Sequence, residues 1–221
     1  MEIYKVDTEE KWHELRGQVI TATEMASIFG LNPYKSVNQM LEAKQNNTFT
    51  GNAYTIIGNL LEPVVVGLVN EELNENFQLF EHEVDRKTFY INRDLMLGAT
   101  PDACNGKTLL ECKSTKPRNY YRWNSMPPMQ YVAQLYTQML CSEFDEGYLA
   151  IMETDLTQTS EELNTHMCIF HLTQSEEITK IIESEMKRFK KSLKDKKMFR
   201  VNRKLSEELK WKFRLNLTKV R

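Results

Sequence analysis

Apolar residues recur at helical spacing from Ala53 to Leu73, and beyond residue 76 they regroup into short runs of strand character. That change of period constrains the fold more than any other feature of the 221-residue chain. Upstream of it, the pattern predicts a helix from about Thr8 to Arg16, a second from the capping box Thr21-Ala22-Thr23-Glu24 to near Gly30, and a third capped by Ser36 and running to about Asn46. Asn32-Pro33 separates the last two, a polar loop fills Asn47 to Asn52, and Pro63 is the awkward residue of the long helix. Downstream, strands are expected from Phe77 to Val84, Phe89 to Ile91, Leu95 to Ala99 and Thr108 to Lys113. A helix from Tyr131 to Cys141, strands from Gly147 to Glu153 and His166 to Leu172, and an amphipathic helix from Ser175 to about Lys196 complete the reading. This order makes an α/β fold, a central mixed β-sheet flanked by helices. We read residues 1–221 as one domain, with N-terminal helices (1–75), a sheet-and-helix segment (76–172) and basic C-terminal helices (173–221).

Composition removes several functional classes. Hydrophobic residues at 41% and charged residues at 27% are ordinary for a folded protein, so disorder is not the default. No run of about 18 apolar residues exists and the segment from Met1 to Glu10 is acidic and polar, so neither membrane spanning nor secretion is expected, and a cytoplasmic location is. Cys104, Cys112, Cys141 and Cys168 lack CxxC spacing, which argues for reduced thiols and against a zinc ribbon or an iron–sulfur cluster. The four histidines are equally dispersed. A formal net charge of -2 does not mark a nucleic-acid binder, yet basic residues dominate from Lys187 to Arg221. Charge alone leaves open whether that region is a solvated helix face or touches phosphate.

The segment that carries chemistry is Thr100-Pro101-Asp102 followed by Leu109-Leu110-Glu111-Cys112-Lys113. On a strand, Glu111 and Lys113 project from one face while Leu110 and Cys112 point to the apolar side. A hairpin can carry Asp102 to the same place, after a proline that stiffens the turn. Two carboxylates and an ammonium then converge on one cleft. Mg²⁺ prefers oxygen ligands and takes one or two carboxylates together with water and substrate phosphate, so Asp102 and Glu111 suit it, and Lys113 can orient water or stabilise charge developing on phosphate. Those are the requirements of phosphodiester hydrolysis.

With these residues in view, the chain resembles the phage lambda-type exonucleases, or YqaJ-like viral recombinase nucleases, of the PD-(D/E)xK superfamily. The resemblance runs from Trp12 to Met139 and rests on five pieces in order: Trp12-His13-Glu14-Leu15-Arg16, Val19-Ile20-Thr21-Ala22-Thr23-Glu24, Gly58-Asn59-Leu60-Leu61-Glu62-Pro63, the Asp102 and Glu111/Lys113 pair, and Tyr131-Val132-Ala133-Gln134. It implies a restriction-endonuclease-like core, Asp102 and Glu111 as metal ligands with the Cys112 backbone carbonyl and Glu62 completing the site, and Lys113 and Gln134 as catalytic partners. It also implies that Arg16, Thr23 and Thr100 hold the 5′-phosphate of a DNA end, which suits a guanidinium and two hydroxyls. Trp12 reads as a core anchor. The implied activity is Mg²⁺-dependent degradation of one strand of linear double-stranded DNA from its 5′ end, with Mn²⁺ as a substitute and two ions per site. The implied setting is a homotrimer in a bacterial host, partnered by a single-strand annealing protein. Ala103 stands where the family commonly has glycine after Pro-Asp, and threonine replaces serine at positions 23 and 100. A restriction-like or repair endonuclease and a catalytically silent DNA-binding phage protein are the competing readings. A Cas4-like nuclease is set aside for want of clustered cysteines.

Overall fold

The computed structural model describes residues 1–46, 53–80, 87–154 and 166–221. The polar loop expected at 47–52 and positions 81–84 of the first expected strand lie outside the described residues. In chain order the elements are β1 (Glu2–Val6), α1 (Glu9–Gln18), β2 (Ile20–Thr21), α2 (Ala22–Ile28), α3 (Val37–Gln45) and α4 (Ala53–Leu73). Then come β3 (Gln78–Leu79), β4 (Lys87–Asn92), β5 (Leu97–Ala99), β6 (Ala103–Cys104), β7 (Thr108–Thr115), α5 (Pro117–Trp123) and α6 (Met129–Ser142). The last are β8 (Glu146–Glu153), β9 (Met167–Thr173), α7 (Glu176–Lys194), α8 (Arg203–Asn216) and β10 (Leu217–Lys219).

The helix starts follow their capping residues. Thr8 accepts a hydrogen bond from the Lys11 N–H, and Ser36 and Gln39 satisfy each other's backbone donors. At α2 the Glu24 carboxylate reaches back to the Thr21 N–H at 2.9 Å. Helix α2 stops at Gly30, whose φ of +64° is a left-handed conformation glycine adopts without strain. Helix α4 runs through Pro63, which faces solvent beside the exposed Asn59, so the carbonyl that loses its helical partner lies on the wet side.

The strands form two mixed sheets, a four-stranded sheet in the order β1-β4-β5-β2 and a six-stranded sheet in the order β10-β9-β8-β7-β6-β3. The run of short strands expected in mid-chain is therefore shared between two sheets. The chain leaves the first after Ala99 and enters the second at Ala103, and Thr100-Pro101-Asp102 makes the crossing. Pro101 has no N–H for a ladder, which suits it to this gap. In the second sheet β7 lies parallel to β8, and the crossover that parallel strands need is supplied by α5 and α6.

Strands β7, β8 and β9 are buried on both faces. On one, Leu109, Leu149, Ile151 and Phe170 pack with Val132, Leu135, Tyr136 and Met139 of α6, backed by residues of α2, α7 and α8. On the other, Leu110, Cys112, Ala150 and Ile169 pack against Val65, Val66 and Val69 of α4. All four cysteines are free, and burial pushes the Cys141 thiol up to about 12 and Cys168 up to about 11, so both stay protonated. Among the described residues no helix is long and apolar enough to cross a membrane.

Gly98 of β5 leaves no room for a side chain. A Cβ there would lie 2.5 Å from Val19 Cγ2 and 2.7 Å from Phe89 Cε1. Gly98→Ala is expected to destabilise the protein by roughly 1–3 kcal/mol through overpacking. Urea unfolding checks this, and an unchanged midpoint would show that Val19 and Phe89 can yield.

Candidate active site

The alternation of β7 sorts its side chains as the sequence requires. Leu110 and Cys112 enter the apolar layer under α4, while Glu111 and Lys113 share the face toward α6. Asp102 is brought in by the β6–β7 hairpin, in which Ala103 pairs with Leu110 and Cys104 with Leu109. Beyond Leu110, β7 has outrun β6, and the Asp102 carboxylate takes the Cys112 N–H at 2.8 Å in place of a strand. Ala103 occupies the position after Asp102 without preventing that turn.

Glu111 is held firmly. Its side chain is 0% exposed, yet three donors meet it: Lys113 Nζ and Gln134 Nε2 at Oε1, and Gln138 Nε2 at Oε2. Gln134 and Gln138 are one turn apart on α6 and so reach the same carboxylate. Lys113 keeps 23% of its side chain exposed and lies 5.4 Å from the Tyr131 ring centre. Burial works against its ammonium, but Glu111 and Asp102 outweigh that, and its pKa is raised overall. For Asp102, burial comes first and the charges of Glu111 and Glu62 come next, and together they raise its pKa well above the ordinary carboxylate range. Glu62, partly buried on α4, is therefore close enough for its charge to act on Asp102.

Asp102, Glu111, Glu62, Lys113, Gln134 and the Cys112 backbone thus gather at one place. Among the described residues no three of His, Cys, Asp and Glu form a ready-made metal cage. The donor set still fits Mg²⁺, which usually keeps several waters and asks for one or two carboxylates. The ammonium held on Glu111 Oε1 marks that oxygen as a cation-facing one.

A second cluster forms where α1, α2 and α3 meet. The Arg16 guanidinium lies 4.3 Å over the Trp12 ring, and Trp12 packs against the apolar group of Val6, Leu15, Val19, Phe89 and Ile91, in keeping with an anchor. Lys44 Nζ donates to the Arg16 carbonyl at 2.6 Å and pairs with Glu24 at 2.9 Å. Burial lowers the pKa of both Arg16 and Lys44, and the Glu24 charge opposes it. Thr23 is exposed in the first turn of α2, and Thr100 follows the end of β5, the strand paired with β2 through Thr21 and Gly98. Gln138 and Lys44 are not singled out by the sequence. The one signal for Gln138 is its spacing of four from Gln134; Lys44 carries none.

The basic C-terminal region is less free than its composition implies. Arg188 binds Glu185 and the Arg200 carbonyl, Lys190 the Asp94 carbonyl, Lys212 Glu177, Lys210 Glu207 and Arg221 Glu72.

No curated protein matches the chain in sequence. Among solved structures, an alkaline exonuclease from Laribacter hongkongensis is similar at a TM-score of 0.61 and 20% identity, over 92% of this chain and 97% of that one. The same enzyme in complex with dAMP gives 0.58 and 19%, over 94% and 97%. A phage-related exonuclease from Haemophilus somnus 129PT gives 0.55 and 13%, over 84% and 99%. At these identities the likeness establishes the fold. The sequence itself matches the YqaJ-like viral recombinase domain over residues 11–145, which include both clusters. The chain belongs to the YqaJ-like viral recombinase domain family.

Proposed function

We propose that this protein is a Mg²⁺-dependent exonuclease that degrades one strand of linear double-stranded DNA from its 5′ end and leaves a 3′ single strand for recombination. The observation that carries this reading is the meeting of Asp102, Glu111 and Lys113 at one place, in a family of viral recombinases. Asp102 and Glu111 would hold the metal, with the Cys112 carbonyl and Glu62 beside them. When bound, the ion supplies a Lewis acid and a more acidic water. Lys113 stabilises charge developing on the scissile phosphate, and Gln134 steadies Glu111. Arg16, Thr23 and Thr100 receive the terminal 5′-phosphate, and Lys44 holds the α1 end in place through the Arg16 carbonyl. Mn²⁺ should replace Mg²⁺. A ring of three copies, an annealing partner and the cytoplasm of a bacterial host complete the proposal.

The test is digestion of linear duplexes with 5′-phosphate or 5′-hydroxyl ends, and of a closed circle, in Mg²⁺ and in EDTA. Loss of the phosphorylated linear DNA in Mg²⁺ alone, with the circle intact, is the expected result. Cutting of the circle would favour an endonuclease, and no cutting at all a silent DNA-binding protein. Arg16→Ala should reduce the preference for phosphorylated over hydroxyl ends by about 10- to 100-fold, the worth of a charged hydrogen bond of roughly 1.5–3 kcal/mol. An undiminished preference would remove Arg16 from the pocket.

A further inference from the structure

Gln138 is the residue of the site whose chemistry packing alone does not explain. It is 1% exposed, on a stretch of α6 whose neighbours Leu135, Tyr136 and Met139 are wholly buried. Its Nε2 donates to Glu111 Oε2 at 2.5 Å, while its own Oε1 finds no hydrogen-bond partner among the described residues. A buried acceptor left unmet is a cost that leucine or methionine at this position would avoid. The carboxylate opposite it accepts only, so it dictates which end of the amide faces it. The two oxygens of Glu111 are thereby made unequal. Oε1 meets Lys113 and Gln134, both partly exposed, whereas Oε2 meets only a side chain sealed in the core.

We propose that Gln138 is a positioning residue that pins Glu111 Oε2 in the interior, so that a divalent cation meets Glu111 through Oε1 only, in place of the Lys113 ammonium, and that it thereby favours Mg²⁺ over Ca²⁺ at this site. The inference rests on the metal-site reading above. Mg²⁺ keeps a compact octahedral shell and needs one oxygen from such a carboxylate, while Ca²⁺ takes six to eight ligands and readily uses a carboxylate through both oxygens. A ligand confined to one oxygen serves the first ion and handicaps the second. Gln134, which shares Oε1 with Lys113, cannot impose this restriction.

The test is calorimetric titration of the DNA-free full chain with Mg²⁺ and with Ca²⁺, for the wild type and for Gln138→Met, which keeps length and loses the donor. Mg²⁺ affinity should fall about 10- to 100-fold, as for other groups that orient a metal ligand, while Ca²⁺ affinity holds or rises. A variant with the wild-type ratio of the two affinities would overturn the inference and leave the metal site standing. A wild type that takes up neither ion would overturn both. Crystals of the wild type grown with Mn²⁺ give a check that does not depend on the variant folding. Glu111 bound through Oε1, with Oε2 on Gln138, supports the assignment; Oε2 on the metal ends it.

Discussion

Lys113→Ala should slow DNA cleavage by roughly 10²–10³-fold, the usual loss when one preorganised charge is removed from a water-poor site. The lysine touches Glu111 and keeps part of its side chain at the surface, where a phosphate can reach it. Its raised pKa keeps it charged throughout the neutral range, so it acts as a fixed cation and not as a proton acceptor. The substitution also leaves a buried carboxylate short of its cation. The stability cost should stay below the roughly 3–5 kcal/mol of a fully buried pair, because Gln134 and Gln138 still donate to Glu111. Single-turnover digestion of a 5′-phosphorylated duplex, with circular dichroism on the same sample, separates the two effects. A folded variant within threefold of the wild-type rate would take Lys113 out of the chemistry.

The second large effect runs in opposite directions for activity and stability. Asp102→Asn should cut activity by more than about 100-fold, beyond the range seen for groups that merely orient a ligand, and yet melt higher than the wild type in EDTA. Burial and the charges of Glu111 and Glu62 make the ionised Asp102 unfavourable, whereas an amide in its place can still accept the Cys112 N–H. Because the folded pKa is raised, the folded state holds this proton more tightly than the unfolded chain does. The resulting stability is complete below the ordinary carboxylate range and is lost as pH rises through the raised value. The wild-type melting temperature in EDTA should therefore fall across that window more than the variant's. Each kcal/mol of difference corresponds to about 2–4 °C in a chain of this size. Mg²⁺ should raise the wild-type midpoint and leave the variant's unmoved. A variant that melts lower than the wild type in EDTA at neutral pH would refute the account of crowded charge.

The strong periodic segments and the caps are legible in the amino-acid sequence. Thr8, Ser36 and Gly30 bound the helices their residue types predict, and α4 spans Ala53–Leu73 in spite of Pro63. Strand β1 escapes such a reading because of its five residues only Val6 is buried, so its alternation carries little signal. Strand β10 buries none of its three, and it forms only because β9 offers a partner edge. The division into two sheets depends on pairings such as Thr21 with Gly98, between residues far apart in sequence, which no local pattern encodes. At the site, Glu111 and Lys113 can be read from the period of a strand. Gln138 cannot, because a glutamine in an amphipathic helix usually faces water, and only the sealing of α6 from both sides turns it inward.

That sealing has a consequence for how the protein is made. Helix α6 is packed on α2, from the first thirty residues, and on α8, in which Phe213 lies against Tyr136. The Ser206 hydroxyl also bonds the Phe29 carbonyl at the end of α2. The bed that aims Gln134 and Gln138 at Glu111 is thus assembled from sequence on both sides of β6 and β7. A folding chain that has already paired β6 with β7 is expected to gain these fixed donors only when α8 docks on α6, since non-local packing of this kind closes late. The surroundings of Glu111 are therefore expected to be the last part of the protein to become rigid.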